Sequence, residues 1–210
     1  VAQASKKIDA AKAMGLFLES NSNARDVRLA YASMLIELKQ LDKARHEFEH
    51  LLRDKPDDAS TIYTLGALAM DANQYKVAEK YFLTYLAKIE GNPAEERDPT
   101  SAFVNLAQIA LEHKNNQAAM DWLAKVEPYD GKNTVWLNVQ IRRAQLLALD
   151  GKLPEARQFL RDVKANNETE QVQLIQAETQ LLRGARQAQE AMSVMENAIK
   201  LFPNNADLLY

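Results

Sequence analysis

The sharpest chemical motif in the chain is His46-Glu47-Phe48-Glu49-His50. Two imidazoles four residues apart lie on one face of a helix and can ligate zinc, while the glutamate between them activates a bound water for hydrolysis. Such a centre also needs a third ligand and a cleft for the substrate. Phe48 and Leu51 carry the apolar period of the same helix, so both histidines are expected on its solvent side, where no cleft forms. The expectation is no catalytic residue, no cofactor and no resident metal, with His46 and His50 an exposed pair open to adventitious zinc or nickel. His113 stands alone near a helix end, where the helix dipole accounts for it. Asp57 with Asp58, and Glu95 with Glu96, fall in turns and first helical turns, where capping explains them. There is no glycine-rich phosphate loop and no nucleophile elbow. There is also no cysteine, which removes disulfides, thiolate metal sites and a cysteine nucleophile. Trp122, Trp136, Phe17, Phe48 and Phe82 recur at helical spacing and read as packing rather than as a ligand box.

The elements that position these residues are expected to be helices. Of 210 residues 47% are hydrophobic, enough for a packed core, and only six are Gly and six Pro, so few breakers interrupt the helix formers. A net charge of −3, with both signs interspersed, argues against a nucleic-acid partner or an anionic membrane surface. No apolar run approaches the roughly 18 to 20 residues of a membrane span, so no direct membrane insertion is expected. The opening Val1-Ala2-Gln3-Ala4-Ser5 lacks signal-peptide form, and the compartment stays undetermined.

The stretch from Ala59 to Pro93 reads Ile62-x-x-Leu65-Gly66-x-x-Ala69, then Ala78, Phe82 and Tyr85, and closes on Gly91 and Pro93. This order resembles the tetratricopeptide repeat (TPR), a helix-turn-helix unit of about 34 residues. The pattern recurs: Ala10, Met14 and Phe17 stand 34 residues before Ala44, Phe48 and Leu51, and Ala44 stands 34 before Ala78. Later units place Ala119, Ala156 and Ala191 at spacings of 41, 37 and 35, the first lengthened by an acidic insertion from Gly91 to Pro99. Asp98 is expected to cap the next helix and Pro99 to open it. Asn21, Ser22 and Asn23 offer caps to the helix that follows them. Departures from the repeat are a missing Trp at every unit's start and a single true Leu-Gly pair.

The resemblance implies an all-α fold, an α-solenoid of antiparallel helix pairs in a right-handed superhelix, with about five complete repeats and a partial repeat at each end. Longer helical repeats of another kind are the alternative architecture. Residues 1–210 are expected to form one repeat domain belonging to a longer protein. The function implied is a non-enzymatic scaffold that binds a peptide or protein segment in its concave groove, as part of a bacterial-type multiprotein assembly. The alternative is the scaffold region of a larger enzyme or secretion factor whose catalytic part lies elsewhere. Helix geometry directs Leu29, Ser33 and Ile36 into that groove, with Tyr63, Ala67 and Met70, Val104 and Gln108, Ile141 and Gln145, and Gln176 and Gln180. The family's carboxylate clamp is not supported, because its places hold Leu29, Ser33 and Tyr63; only Asn105 and Arg142 have suitable chemistry. Apolar residues at both ends, among them Ile8, Met14, Phe17, Leu208, Leu209 and Tyr210, are expected to seek cover, with end-to-end self-association as one route.

Overall fold

The computed structural model describes residues 2–90, 97–126 and 135–208. The expected closing turns at Gly91–Pro93 and Glu127–Lys132, and the terminal Leu209 and Tyr210, lie outside the described residues. The chain forms two compact units, Val1–Ala102 and Phe103–Tyr210. Among the described residues every regular element is helical. The helices are α1 (Ala2–Ser20), α2 (Arg25–Glu37), α3 (Leu41–Asp54), α4 (Ala59–Asp71), α5 (Tyr75–Glu90) and α6 (Thr100–Glu112). They continue with α7 (Asn116–Leu123), α8 (Trp136–Leu149), α9 (Leu153–Asp162), α10 (Glu168–Gly184) and α11 (Ala188–Leu201), then a 3-10 turn at Ala206–Leu208. The division between units falls within the first turn of α6.

What makes these helices into hairpins is a turn that recurs five times among the described residues. Lys39, Asn73, Lys114, Gly151 and Arg186 all have positive φ, at spacings of 34, 41, 37 and 35 residues. These equal the spacings of the small residues Ala44, Ala78, Ala119, Ala156 and Ala191. At each turn the next amide reaches back to a carbonyl five residues earlier, as in Gln40 to Leu35, Gln74 to Ala69 and Asn115 to Ala110. Lys152 to Leu147 and Gln187 to Leu182 do the same. This is the Schellman arrangement, which satisfies carbonyls that the ending helix leaves open.

In the first unit α2, α3 and α4 close on Ala32, Leu35, Ala44, Phe48, Leu51, Leu65 and Leu68, all buried in one cluster, with Tyr81 of α5 packed against it. Gly66 is required by contact rather than by conformation, since a Cβ there would lie 2.8 Å from the Phe82 ring. In the second unit Ala107, Ala110, Ala119, Leu123, Val139 and Leu146 join α6, α7 and α8. Leu137, Ala144, Ala156, Leu160, Leu174 and Ala177 then join α8, α9 and α10.

Helix starts differ from expectation in two places, at α4 and at α2. Asp58, the cap residue of α4, makes no side-chain cap hydrogen bond and instead accepts from Arg25 and the Thr61 hydroxyl. The cap residue of α2 is Ala24, without a side-chain hydrogen bond. Asn21 instead donates its Nδ2 to the Phe17 carbonyl at 3.0 Å, so its amide serves the end of α1 rather than the start of α2. Asp98 does cap α6, accepting from the Thr100 amide at 2.8 Å, and Pro99 directly precedes the helix. Pro154 sits in the first turn of α9, where its missing N–H costs nothing.

Candidate interaction surfaces

The sequence-selected lining residues all stand on first helices of the hairpins, α2, α4, α6, α8 and α10. In the first unit Leu29 is 44% exposed, unusual for a leucine within a helix that buries Ala32 and Leu35. Ser33 is exposed, and Ile36 is half-buried with one side on the core. Tyr63 is half-buried because its ring packs on Phe82 and Tyr85, with centroids 5.5 and 5.2 Å apart. Ala67 and Met70 complete this face, both half-buried. The aromatic contacts hold the Tyr63 ring in one place, so this apolar edge is preorganised.

The second unit is more polar along the same register. Val104 and Ile141 are half-buried against their cores. Gln108 is exposed and donates to Glu112 Oε1 at 2.8 Å. Gln145 accepts weakly from Arg142 Nη1 at 3.3 Å. Gln180 is exposed, whereas Gln176 donates its amide to the Asp207 carbonyl at 2.8 Å and so ties the terminal 3-10 turn to α10.

On α3, His46 is exposed and His50 half-buried, their rings edge-to-face with centroids 5.9 Å apart. Glu47, the residue that would activate a water, is taken: its carboxylate accepts from the guanidinium of Arg28, which is buried and also donates to the Ser22 carbonyl at 2.9 Å. No group of three or more His, Asp and Glu positioned for a metal exists among the described residues.

Several polar residues that govern the structure escaped the pattern reading. Arg25 donates to the Leu51 carbonyl at 2.8 Å and pairs with Asp58 at the start of α4. Burial alone would push the Asp58 carboxyl up; the Thr61 hydroxyl and the Arg25 guanidinium outweigh it and hold the group below its usual value. Glu178 is buried and accepts from Arg157 at 2.9 Å and Arg161 at 2.5 Å, while Arg157 also reaches Glu190 at 2.6 Å. Arg143 lies over the Phe159 ring at 4.8 Å, and its Nε has no hydrogen-bond acceptor among the described residues. One signal was present in the sequence: Arg143 and Glu178 directly precede Ala144 and Thr179, a place filled by leucine in the Leu65-Gly66 and Leu106-Ala107 units. Two open clefts of about 320 Å³ lie apart from the expected lining, one beside α1 and one between α9, α10 and the end of α11.

With this geometry in hand, comparison with known proteins gives consistent results. The family described as "Psidin, N-terminal TPR repeats region" matches residues 108–210, and "Tetratricopeptide repeat" matches residues 63–133. A TPR repeat-containing protein of Pseudomonas aeruginosa is 28% identical over 110 residues, 52% of this chain; the matched stretch spans only 18% of that relative. Among solved structures, YrrB, described as a TPR protein with an unusual peptide-binding site, aligns with a TM-score of 0.60 at 18% identity, covering 95% of this chain and 97% of its own. PilW, described as a type IV pilus biogenesis factor, aligns with a TM-score of 0.61 at 19% identity, covering 99% and 91%. At such identities the structural likeness concerns the fold.

Proposed function

Since the chain belongs, over much of its length, to the tetratricopeptide repeat family, we propose that it is a non-enzymatic scaffold whose first helices receive a peptide or protein segment within a multiprotein assembly. Repeats of this kind are in general protein-interaction scaffolds. The observation that carries the reading is the apolar edge of the first unit, where Leu29 stays 44% exposed beside α2 while Tyr63 and Met70 remain half-buried on α4. Side chains of this kind recognise a partner by burial, and each large one contributes about 1.5 to 3 kcal/mol when covered.

In this proposal Leu29, Ser33, Ile36, Tyr63, Ala67 and Met70 form the apolar part of the lining. Val104, Gln108, Ile141, Gln145, Gln176 and Gln180 form a second, amide-rich part suited to the backbone of an extended segment. The peptide-binding site named for YrrB and the type IV pilus biogenesis named for PilW support the class of use. Absence of catalysis is supported by the engagement of Glu47 with Arg28, which removes the water-activating group from the His46–His50 motif. A second reading, the scaffold region of a larger enzyme or assembly factor, is favoured by the relative of which this chain matches only 18%.

Selection of peptides from a displayed library, followed by anisotropy titration of the tightest, tests the proposal. Tyr63→Ala and Met70→Ala are expected to weaken binding about tenfold or more, and Arg142→Ala less than twofold. Leu29→Ala serves as a variant that cannot disturb the core. Binding lost in Arg142→Ala but unaffected in Leu29→Ala, Tyr63→Ala and Met70→Ala would show that the lining has been misassigned.

A further inference from the structure

Arginines drawn into the packing of this protein meet carboxylates: Arg28 meets Glu47, and Arg157 meets Glu178 and Glu190. Arg143 of α8 does not. Its guanidinium lies over the Phe159 ring of α9, and its Nε has no acceptor among the described residues. Burial, with no carboxylate to oppose it, holds the group below its usual value. Its Nη1 donates to Gln140 Oε1 at 3.0 Å, and that bond orients the Gln140 amide. A guanidinium offers only donors, so the oxygen of Gln140 must face Arg143 and its Nε2 must point elsewhere. Gln140 is only 4% exposed, yet its Nε2 finds no acceptor among the described residues. A buried donor in that state is costly unless something supplies an acceptor.

Gln140 also lines a cleft of about 450 Å³ between α8 and the end of α9, a volume that holds one small molecule. Trp136 and Phe159, both half-buried, give the cleft aromatic walls, and Lys164 stands exposed at its rim without an ion pair among the described residues. Ile141 and Gln145, the α8 residues assigned above to the peptide lining, take no part in it. We propose that this cleft binds a small aromatic carboxylate. The ring packs on Trp136 and Phe159, while the carboxylate accepts from Gln140 Nε2 and draws on the positive charge of Arg143 and Lys164. Arg143 does not itself line the cleft; it is a positioning residue that acts through the Gln140 amide. The carboxylates near the rim are engaged: Asp162 accepts from Gln158 at 2.9 Å and Glu170 from Asn166 at 3.1 Å. Both are open enough to solvent for their repulsion to be screened.

Titration of the isotope-labelled chain with cinnamate, followed by amide and indole NMR signals, tests this. The chain has two tryptophans, so Trp122→Phe assigns the indole of Trp136, and Gln140→Met assigns the side-chain amide of Gln140. Cinnamate is expected to move both signals saturably and with one affinity. Cinnamamide, which keeps the ring and carbonyl but not the charge, is expected to bind about tenfold more weakly, as is hexanoate, which keeps the charge but not the ring. Gln140→Met should weaken cinnamate about tenfold. Arg143→Met should reduce the preference for cinnamate over cinnamamide, which a merely structural role would leave intact. Asp162→Asn removes the like charge from the exposed rim and should strengthen cinnamate about twofold, a gain that a folding defect cannot imitate. Shifts that fail to saturate, that leave Gln140 unmoved, or that are equal for cinnamate and cinnamamide overturn the proposal. So does unchanged or weaker binding in Asp162→Asn. Tighter binding of a peptide ending in phenylalanine than of cinnamate overturns the assignment to a small molecule. None of these variants touches Leu29, Tyr63 or Met70, so the outcome stands apart from peptide binding by the first unit.

Discussion

Just ahead of the small residue of each first helix, the unit Val1–Ala102 places Tyr31 and Leu65, whereas the unit from Phe103 onward places Leu106, Arg143 and Glu178. The same packing position is thus filled by apolar rings and branches in one unit and largely by charge in the other. Leu65 fills its place by shape, and Phe82 closes over Gly66. Glu178 fills its place only because Arg157 and Arg161 project from the preceding second helix to neutralise it. Shape complementarity is insensitive to salt and pH, while a buried carboxylate depends on its partners and offers little net stability for its burial. At this position the first unit therefore relies on shape and the second on paired charge.

The largest effect expected from this contrast is at Phe82. Phe82→Ala removes a fully buried ring against Gly66 and should cost about 3 to 5 kcal/mol in denaturant unfolding. Glu178→Ala, in the other unit, leaves two guanidinium groups without their acceptor. Arg161 is half exposed and Arg157 keeps Glu190, so solvent and the second carboxylate reduce the loss to about 2 kcal/mol. If Glu178→Ala proves as costly as Phe82→Ala, the charged position is a stabilising one and the contrast fails. Glu178→Leu should recover part of the loss, because an apolar residue of similar size restores the first unit's way of filling the place.

The turns yield a smaller effect. Lys114 holds φ of 57° without needing its side chain for the turn, so Lys114→Gly should stabilise by up to about 1 kcal/mol. Gly151→Ala, at φ of 80°, should destabilise by about the same amount, and the two substitutions together test whether conformation alone sets the balance.

The half-buried and buried ion pairs of the first unit include Arg25–Asp58 and Arg28–Glu47, while Lys7–Glu37 and Arg45–Asp42 are more exposed. The Asp58 carboxyl lies below its unfolded value, so its contribution is present above that value and is lost as the pH falls through the lower folded one. Stability of the wild type should therefore decline below about pH 4, and Asp58→Asn should flatten that limb while leaving the neutral-pH slope unchanged. Smallest of all, His46→Ala should alter stability by less than about 0.5 kcal/mol, since the ring is exposed on the outer face of α3.

The order of the hairpins was legible in the sequence, because a close approach of two helices admits only a small residue and so stamps Ala44, Ala78, Ala119, Ala156 and Ala191 into the chain. Of the five left-handed turn residues, Gly151 and Asn73 showed residue types that favour that conformation. Lys39, Lys114 and Arg186 did not: the penalty for a non-glycine there is about 1 kcal/mol, which the recurring amide-to-carbonyl bonds and hairpin packing outweigh. Periodicity likewise placed Leu29, Tyr63 and Gln176 on first helices, but it could not say which side chains were free to meet a partner. Gln176 is engaged by the Asp207 carbonyl 31 residues away, Glu47 by Arg28 19 residues away, and Glu178 by arginines 17 and 21 residues away. Such pairings follow no period, because each joins particular side chains of separate helices. Only the tertiary structure, which sets those helices side by side, decides them.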